Sequence, residues 1–119
     1  MSSLPVTFPV YLVSGRGGAA PLLVRPATGP VSVPLFSSLE AAGAFLAQSD
    51  YLDCGEIWRI ERATLLKRWL AQVADCCQRA AWDLSQRHGE WRTTGAMAFG
   101  DFLAALTGRA KSEEFAAQN

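Results

Sequence analysis

Along the first third of the chain, apolar residues come in short runs cut by proline and glycine. FPVYLVSG, PLLVRPA and VSVPLFS are such runs, and all six prolines fall within residues 5–34. Proline lacks an amide hydrogen and clashes inside a helix, so helix is excluded there. The runs predict three short strands, joined by the turns GRGG and ATGP and arranged as a β-meander. Pro9, Pro26 and Pro34 cannot donate to a ladder, and each is expected at a strand start, a strand end or an edge.

The period then changes. In VPLFSSLEAAGAFL, Ser37 and Glu40 have the spacing of a capping box, which predicts a helix start. Leu39, Ala42, Phe45 and Leu46 recur at intervals of three and four and predict its buried stripe, with Gly43 allowing close packing. After the polar connection SDYLDCGE, the run EIWRIER alternates, with Ile57 and Arg59 on one side and Trp58 and Ile60 on the other, as a fourth strand does. From residue 63 to about 77, Leu66, Trp69, Leu70, Val73 and Cys77 form one helical face. RAAWDLS suits either a continuation of that helix or a fifth strand, and the alternation of Trp82 and Leu84 with Ala81 and Asp83 favours the strand. SQRHGEWRTTG is expected as a polar loop. AMAFGDFLAALTG predicts a third helix with Phe99, Phe102, Leu103 and Leu106 inward and Gly108 as C-cap.

This pattern predicts one small α+β domain over residues 1–108, with a mixed or antiparallel sheet of about five strands and two or three helices packed on it. The order is β-β-β-α-β-α-β-α, and residues 109–119 are expected as a flexible tail. Composition agrees with a packed core: 119 residues, 50% apolar and 18% charged, are neither disordered nor too few to bury an interior. Residues 1–39 carry only Arg16 and Arg25 and no acid, as buried strands would.

Eleven basic and eleven acidic residues give zero net charge, which argues against nucleic-acid binding and against a membrane-surface helix, although nine of the eleven bases are Arg. No apolar run is long enough to span a bilayer and no basic segment precedes an apolar h-region, so a cytoplasmic protein is expected. Cys54, Cys76 and Cys77 are odd in number, two of them adjacent, which is no disulfide framework and suits a reducing compartment.

Candidate chemistry is sparse. SGRGG lacks the spacing of a phosphate-binding loop and sits between strands, where glycine serves a turn. The cysteines and His88 lack zinc-ligand spacing, because neighbours on a helix diverge by about 100°. Asp50, Asp53 and Glu56 cluster without the order of a calcium loop. No cofactor or metal is called for. Trp58, Trp69 and Trp82 lie in periodic elements and read as core. Trp91 stands in RHGEWRTTG outside any apolar period, beside Arg87, His88 and Arg92, and Trp and Arg are enriched among interface hot spots. It reads either as an interface anchor or as a lid folded onto the core or the start of a strand.

FPVYLV and VPLFSSLEAAGAFL, with the order of elements, resemble the bacterial SseB-type (enhanced serine sensitivity) domain over roughly residues 8–106. That family tends to pass from a strand through a short apolar-Phe-Ser/Thr step into a helix. The resemblance implies a fold and a binding role and carries over no catalytic residue. The chain departs from it at Trp82-Asp83-Leu84-Ser85. The expected function is a non-enzymatic, cytoplasmic protein–protein interaction module of bacterial type, binding another protein or itself as a homodimer. Trp91 is the expected anchor, with Arg87, Arg92 and His88 beside it, and a sheet edge or residues 86–95 as the surface. A secretion chaperone or an immunity-type protein belongs to the same class. The alternative class is a small thiol-dependent or small-molecule-binding enzyme using Cys54 or Cys76 with His88.

Overall fold

The computed structural model describes residues 4, 6–25, 29–49, 54–87 and 90–117. Its elements are β1 (Val10–Gly15), β2 (Ser32–Phe36), α1 (Leu39–Gln48), β3 (Gly55–Ile60), α2 (Ala63–Ala71), β4 (Arg79–Trp82), β5 (Ser85–Arg87), β6 (Glu90–Arg92), β7 (Gly95–Ala98) and α3 (Phe99–Ala117). Five strands form a mixed sheet in the order β3-β1-β2-β4-β7, parallel only between β2 and β4, and β5 pairs with β6 apart from it. The chain is a small α+β domain.

Strands β1, β2 and β4 are buried on both faces, which explains why their sequences carry so little charge. Val10, Leu12, Val33, Leu35 and Ala80 face α2 and α3 and pack with Leu66, Leu70, Phe102 and Leu106. The alternate residues Val13, Phe36 and Ala81 face α1 and pack with Ala42, Phe45 and Leu46. The sheet therefore separates two cores.

Only two of the three expected N-terminal strands form. PLLVRPA contributes isolated bridges, Ser14 to Pro21 and Val24 to Ser32. Pro34 accounts for this. It lies inside β2, not at a strand start, a strand end or an edge as expected, and Leu35 turns its carbonyl toward β4, accepting from the Asp83 amide at 2.8 Å. One residue earlier, Pro34 faces β1 with no hydrogen to donate. The β1–β2 register accordingly stops at Leu12 and Leu35. Beyond that point the 21–24 segment takes over, with the Leu22 amide donating to Val13 at 2.9 Å and Val24 exchanging bonds with Ser32. Pro9 precedes β1, as expected; Pro26 lies outside the described residues.

Helix α1 starts one residue later than the capping box implied. Ser38 is the N-cap, its hydroxyl accepting from the Ala41 amide at 3.1 Å. Ser37 instead donates its amide and hydroxyl to the Asp83 carboxylate. That partner lies 46 residues away and is invisible to a local motif. Leu39 falls outside the buried stripe at 58% exposed, while Ala42, Phe45 and Leu46 are buried as expected.

Helix α2 ends at Ala71, short of residue 77, yet Val73 and Cys77 stay buried because the turn after it keeps a helical bond from the Cys77 amide to Val73. RAAW is the expected strand, β4. AMA is a strand as well, β7, so α3 starts at Phe99. Gly108 is not a C-cap. The helix runs through it to Ala117, so residues 109–117, expected as a flexible tail, are helical.

The reason is contact with α2. Arg62, at the N-cap of α2, makes no side-chain cap. Glu113 of α3 supplies it, accepting from the amides of Ala63 at 2.7 Å and Thr64 at 3.1 Å and from the Thr64 hydroxyl at 3.0 Å. Burial alone would raise the Glu113 carboxyl, but those hydrogen bonds, with the charge of Arg109, outweigh it and hold the group below its ordinary value. Glu113→Ala is expected to cost about 0.5–2 kcal/mol, the range for a lost cap. Since the folded pKa is the lowered one, the contribution is complete above the unfolded carboxyl value and disappears as pH falls through the folded value. Urea titrations of wild type and Glu113→Ala at neutral and acid pH should differ first and converge last. A gap that persists unchanged in acid would show that the charge of Glu113 is not what stabilises α2.

Candidate interaction site beside Trp91

The expected loop at residues 85–95 is largely a hairpin. Ser85 pairs with Arg92, Gln86 with Trp91 and Arg87 with Glu90. Alternation sorts these residues onto two faces. Gln86 and Trp91 are half-buried, while Ser85, Arg87, Glu90 and Arg92 are exposed. The Trp91 ring lies 5.4 Å from Phe45 of α1, and Phe45 lies 5.2 Å from Phe36 of β2, so three aromatic rings connect sheet, helix and hairpin. Gln48 at the end of α1 accepts from the Gln86 amide at 3.1 Å. The Thr94 amide donates to the Trp82 carbonyl at 3.1 Å and ties the hairpin's exit to β4.

Trp91 bounds two recesses. One, of about 310 Å³, is walled by Leu23, Arg25, Phe45, Gln48 and Gln86. The other, of about 190 Å³, is walled by Val24, Pro30, Ser32, Arg79, Leu84 and Thr93. Arg79 is half-buried and its Nε donates to the Ser32 hydroxyl at 3.2 Å, which orients the guanidinium. No carboxylate lines either recess among the described residues.

Among the described residues the arginines that line these recesses are Arg25 and Arg79, whereas Arg87 and Arg92 stand on the exposed face of the hairpin with Glu90. The expected grouping of Trp91 with Arg87 and Arg92 follows chain proximity, and the pleat separates residues that adjoin in sequence. His88 lies outside the described residues. Arg25 and Arg79 come from a loop and a strand end far from residue 91, and no local signal in the sequence joins them to it.

The remaining candidates are closed or dispersed. Cys77 is buried, and burial pushes its thiol up against backbone hydrogen bonds that would lower it, so the nucleophilic thiolate is disfavoured. Cys54 is exposed before β3 and Cys76 is exposed in the turn after α2. Among the described residues no three His, Cys, Asp or Glu side chains gather as a metal site would require. Asp50 and Asp53 lie outside those residues, and Glu56 accepts from the Gly17 amide. That bond uses an amide of the Gly-rich turn, where Gly17 and Gly18 take φ of 79° and 77°. Trp58, on the edge strand β3, packs against Trp69 with ring centres 5.3 Å apart and donates to the Ser14 hydroxyl at 2.7 Å. At 36% exposed it is not the core residue its period implied.

No protein-family model matches this chain, and no curated protein matches it. Among the described residues no helix is long and apolar enough to cross a membrane.

Proposed function

We propose that the chain is a non-enzymatic protein-interaction module that takes a segment of another protein, or of a second copy of itself, beside Trp91. The position of the indole carries this reading. The ring packs on Phe45 and bounds two recesses at once. A ring fixed in this way has little rotamer freedom left to lose on binding, which favours it as an anchor. Arg87 and Arg92 form an outer rim in this reading, where charges steer encounter more than they hold a complex. A cytoplasmic, bacterial setting belongs to the same proposal, in keeping with three unpaired cysteines. So does the SseB-type resemblance, whose residues lie in β1, β2 and α1 and provide scaffold.

Because Trp91 also packs on Phe45, alanine would remove core contacts along with the anchor, and leucine is the cleaner replacement. Wild type and Trp91→Leu are compared as baits in a bacterial lysate, with circular dichroism confirming that both are folded. A protein held by the wild type is expected to bind the variant at least about fivefold more weakly, the equivalent of about 1 kcal/mol at a hot spot. Equal retention by two folded baits would remove Trp91 from the binding surface.

A further inference from the structure

Resting on that reading, we infer that the segment bound beside Trp91 is an acidic peptide stretch, with carboxylates directed to Arg25 and Arg79 on either side of an apolar side chain set against the indole.

The chain as a whole is neutral, with eleven bases and eleven acids, so a charge excess at one place comes from the fold and not from composition. Arg25 lines one recess and Arg79 the other, and no carboxylate is among their described walls. The ion pair seen among the described residues joins Arg59 to Glu61, and neither Arg25 nor Arg79 takes part in it. The Ser32 bond fixes Arg79 by its Nε. A guanidinium held in one orientation suits planar carboxylates, which it binds through paired hydrogen bonds.

The other walls decide between kinds of anion. Leu23, Val24, Pro30 and Leu84 are apolar, and the recesses have the size of side chains. A peptide presents carboxylates and apolar groups alternately and can fill both. A nucleic-acid strand presents a continuous row of phosphates, for which two arginines in separate recesses are a poor match. A neutral apolar segment would desolvate Arg25 and Arg79 without supplying a counter-charge, which is costly, and a basic segment would be repelled.

The test is selection from a displayed library of random short peptides on the purified full chain. The strongest peptide is then resynthesised and titrated against wild type, Arg25→Gln/Arg79→Gln and Trp91→Leu, with single-stranded oligothymidylate as a parallel probe. The expected result is enrichment of peptides with two or more acidic residues around an apolar one, binding weakened at least about tenfold by Arg25→Gln/Arg79→Gln and by Trp91→Leu. Neutral peptides that depend on Trp91 but not on the arginines would overturn the acidic preference and leave the site standing. Peptides indifferent to all three positions, or no enrichment, would remove both the preference and the site. Arginine-dependent binding of oligothymidylate tighter than that of any peptide would replace the peptide with nucleic acid.

Discussion

Phe102→Ala is expected to cost about 3–5 kcal/mol, which for a chain of this length lowers the thermal midpoint by roughly 10–20 °C. The ring is fully buried at 0% exposure, projects from the second turn of α3 into the core shared with the sheet and α2, and lies 6.4 Å from the Trp82 ring. Alanine there leaves a cavity that close-packed neighbours on two helices and a sheet fill only partly. Phe102→Leu keeps most of the volume and should cost well under half as much. Thermal and urea unfolding followed by circular dichroism reads both. A loss for Phe102→Ala no larger than for the exposed neighbour Asp101→Ala would mean that α3 is not anchored on the sheet through this ring.

The second large effect is at Gly95, where β7 pairs with β4. Its cross-strand partner is Trp82, and atoms of the indole occupy the space where a Cβ on residue 95 would stand. Glycine is otherwise a poor strand residue, and on propensity alone valine would stabilise the position. Sterics reverse the sign. Gly95→Val must displace the indole from its place beside Phe102 and is expected to destabilise by about 3 kcal/mol, the upper part of the range for overpacking. The same substitution in a Trp82→Ala background should cost little, so the two changes couple strongly in a double-mutant cycle. Additive effects would show that the penalty comes from the backbone at residue 95 and not from the ring.

How far these features were legible in the sequence depends on how far apart their partners lie. The stripe Ala42, Phe45, Leu46 and the strand β3 are local patterns, and both elements appear where the period put them, although Leu39 and Trp58 are exposed. RAAW was ambiguous as a short apolar run and became a strand because β2 and β7 flank it. Three of the departures share a cause. Ser37 did not cap α1 because Asp83 takes its hydroxyl, Gly108 did not end α3 because Glu113 has α2 to hold, and β5 and β6 formed in a polar stretch because Trp91 has Phe45 to cover. At the site, Trp91 stood out as a tryptophan without a period. Arg25 and Arg79 did not, since only the folded chain brings them to it.

The parallel pairing of β2 with β4 also has a kinetic consequence. Ser32 and Arg79, which face one another across it, are 47 residues apart in the chain, and Ser14 and Trp58, which join β1 to β3, are 44 apart. Between β2 and β4 the chain crosses one face of the sheet as α1, runs to the far edge as β3 and returns over the other face as α2. Little of the main sheet can form by local zipping; long loops must close before their contacts offset the entropy lost. Such a molecule is expected to fold more slowly than a helical bundle of its length, whose contacts are local. During synthesis the faces of β1 and β2 that α2 and α3 cover are made well before those helices emerge.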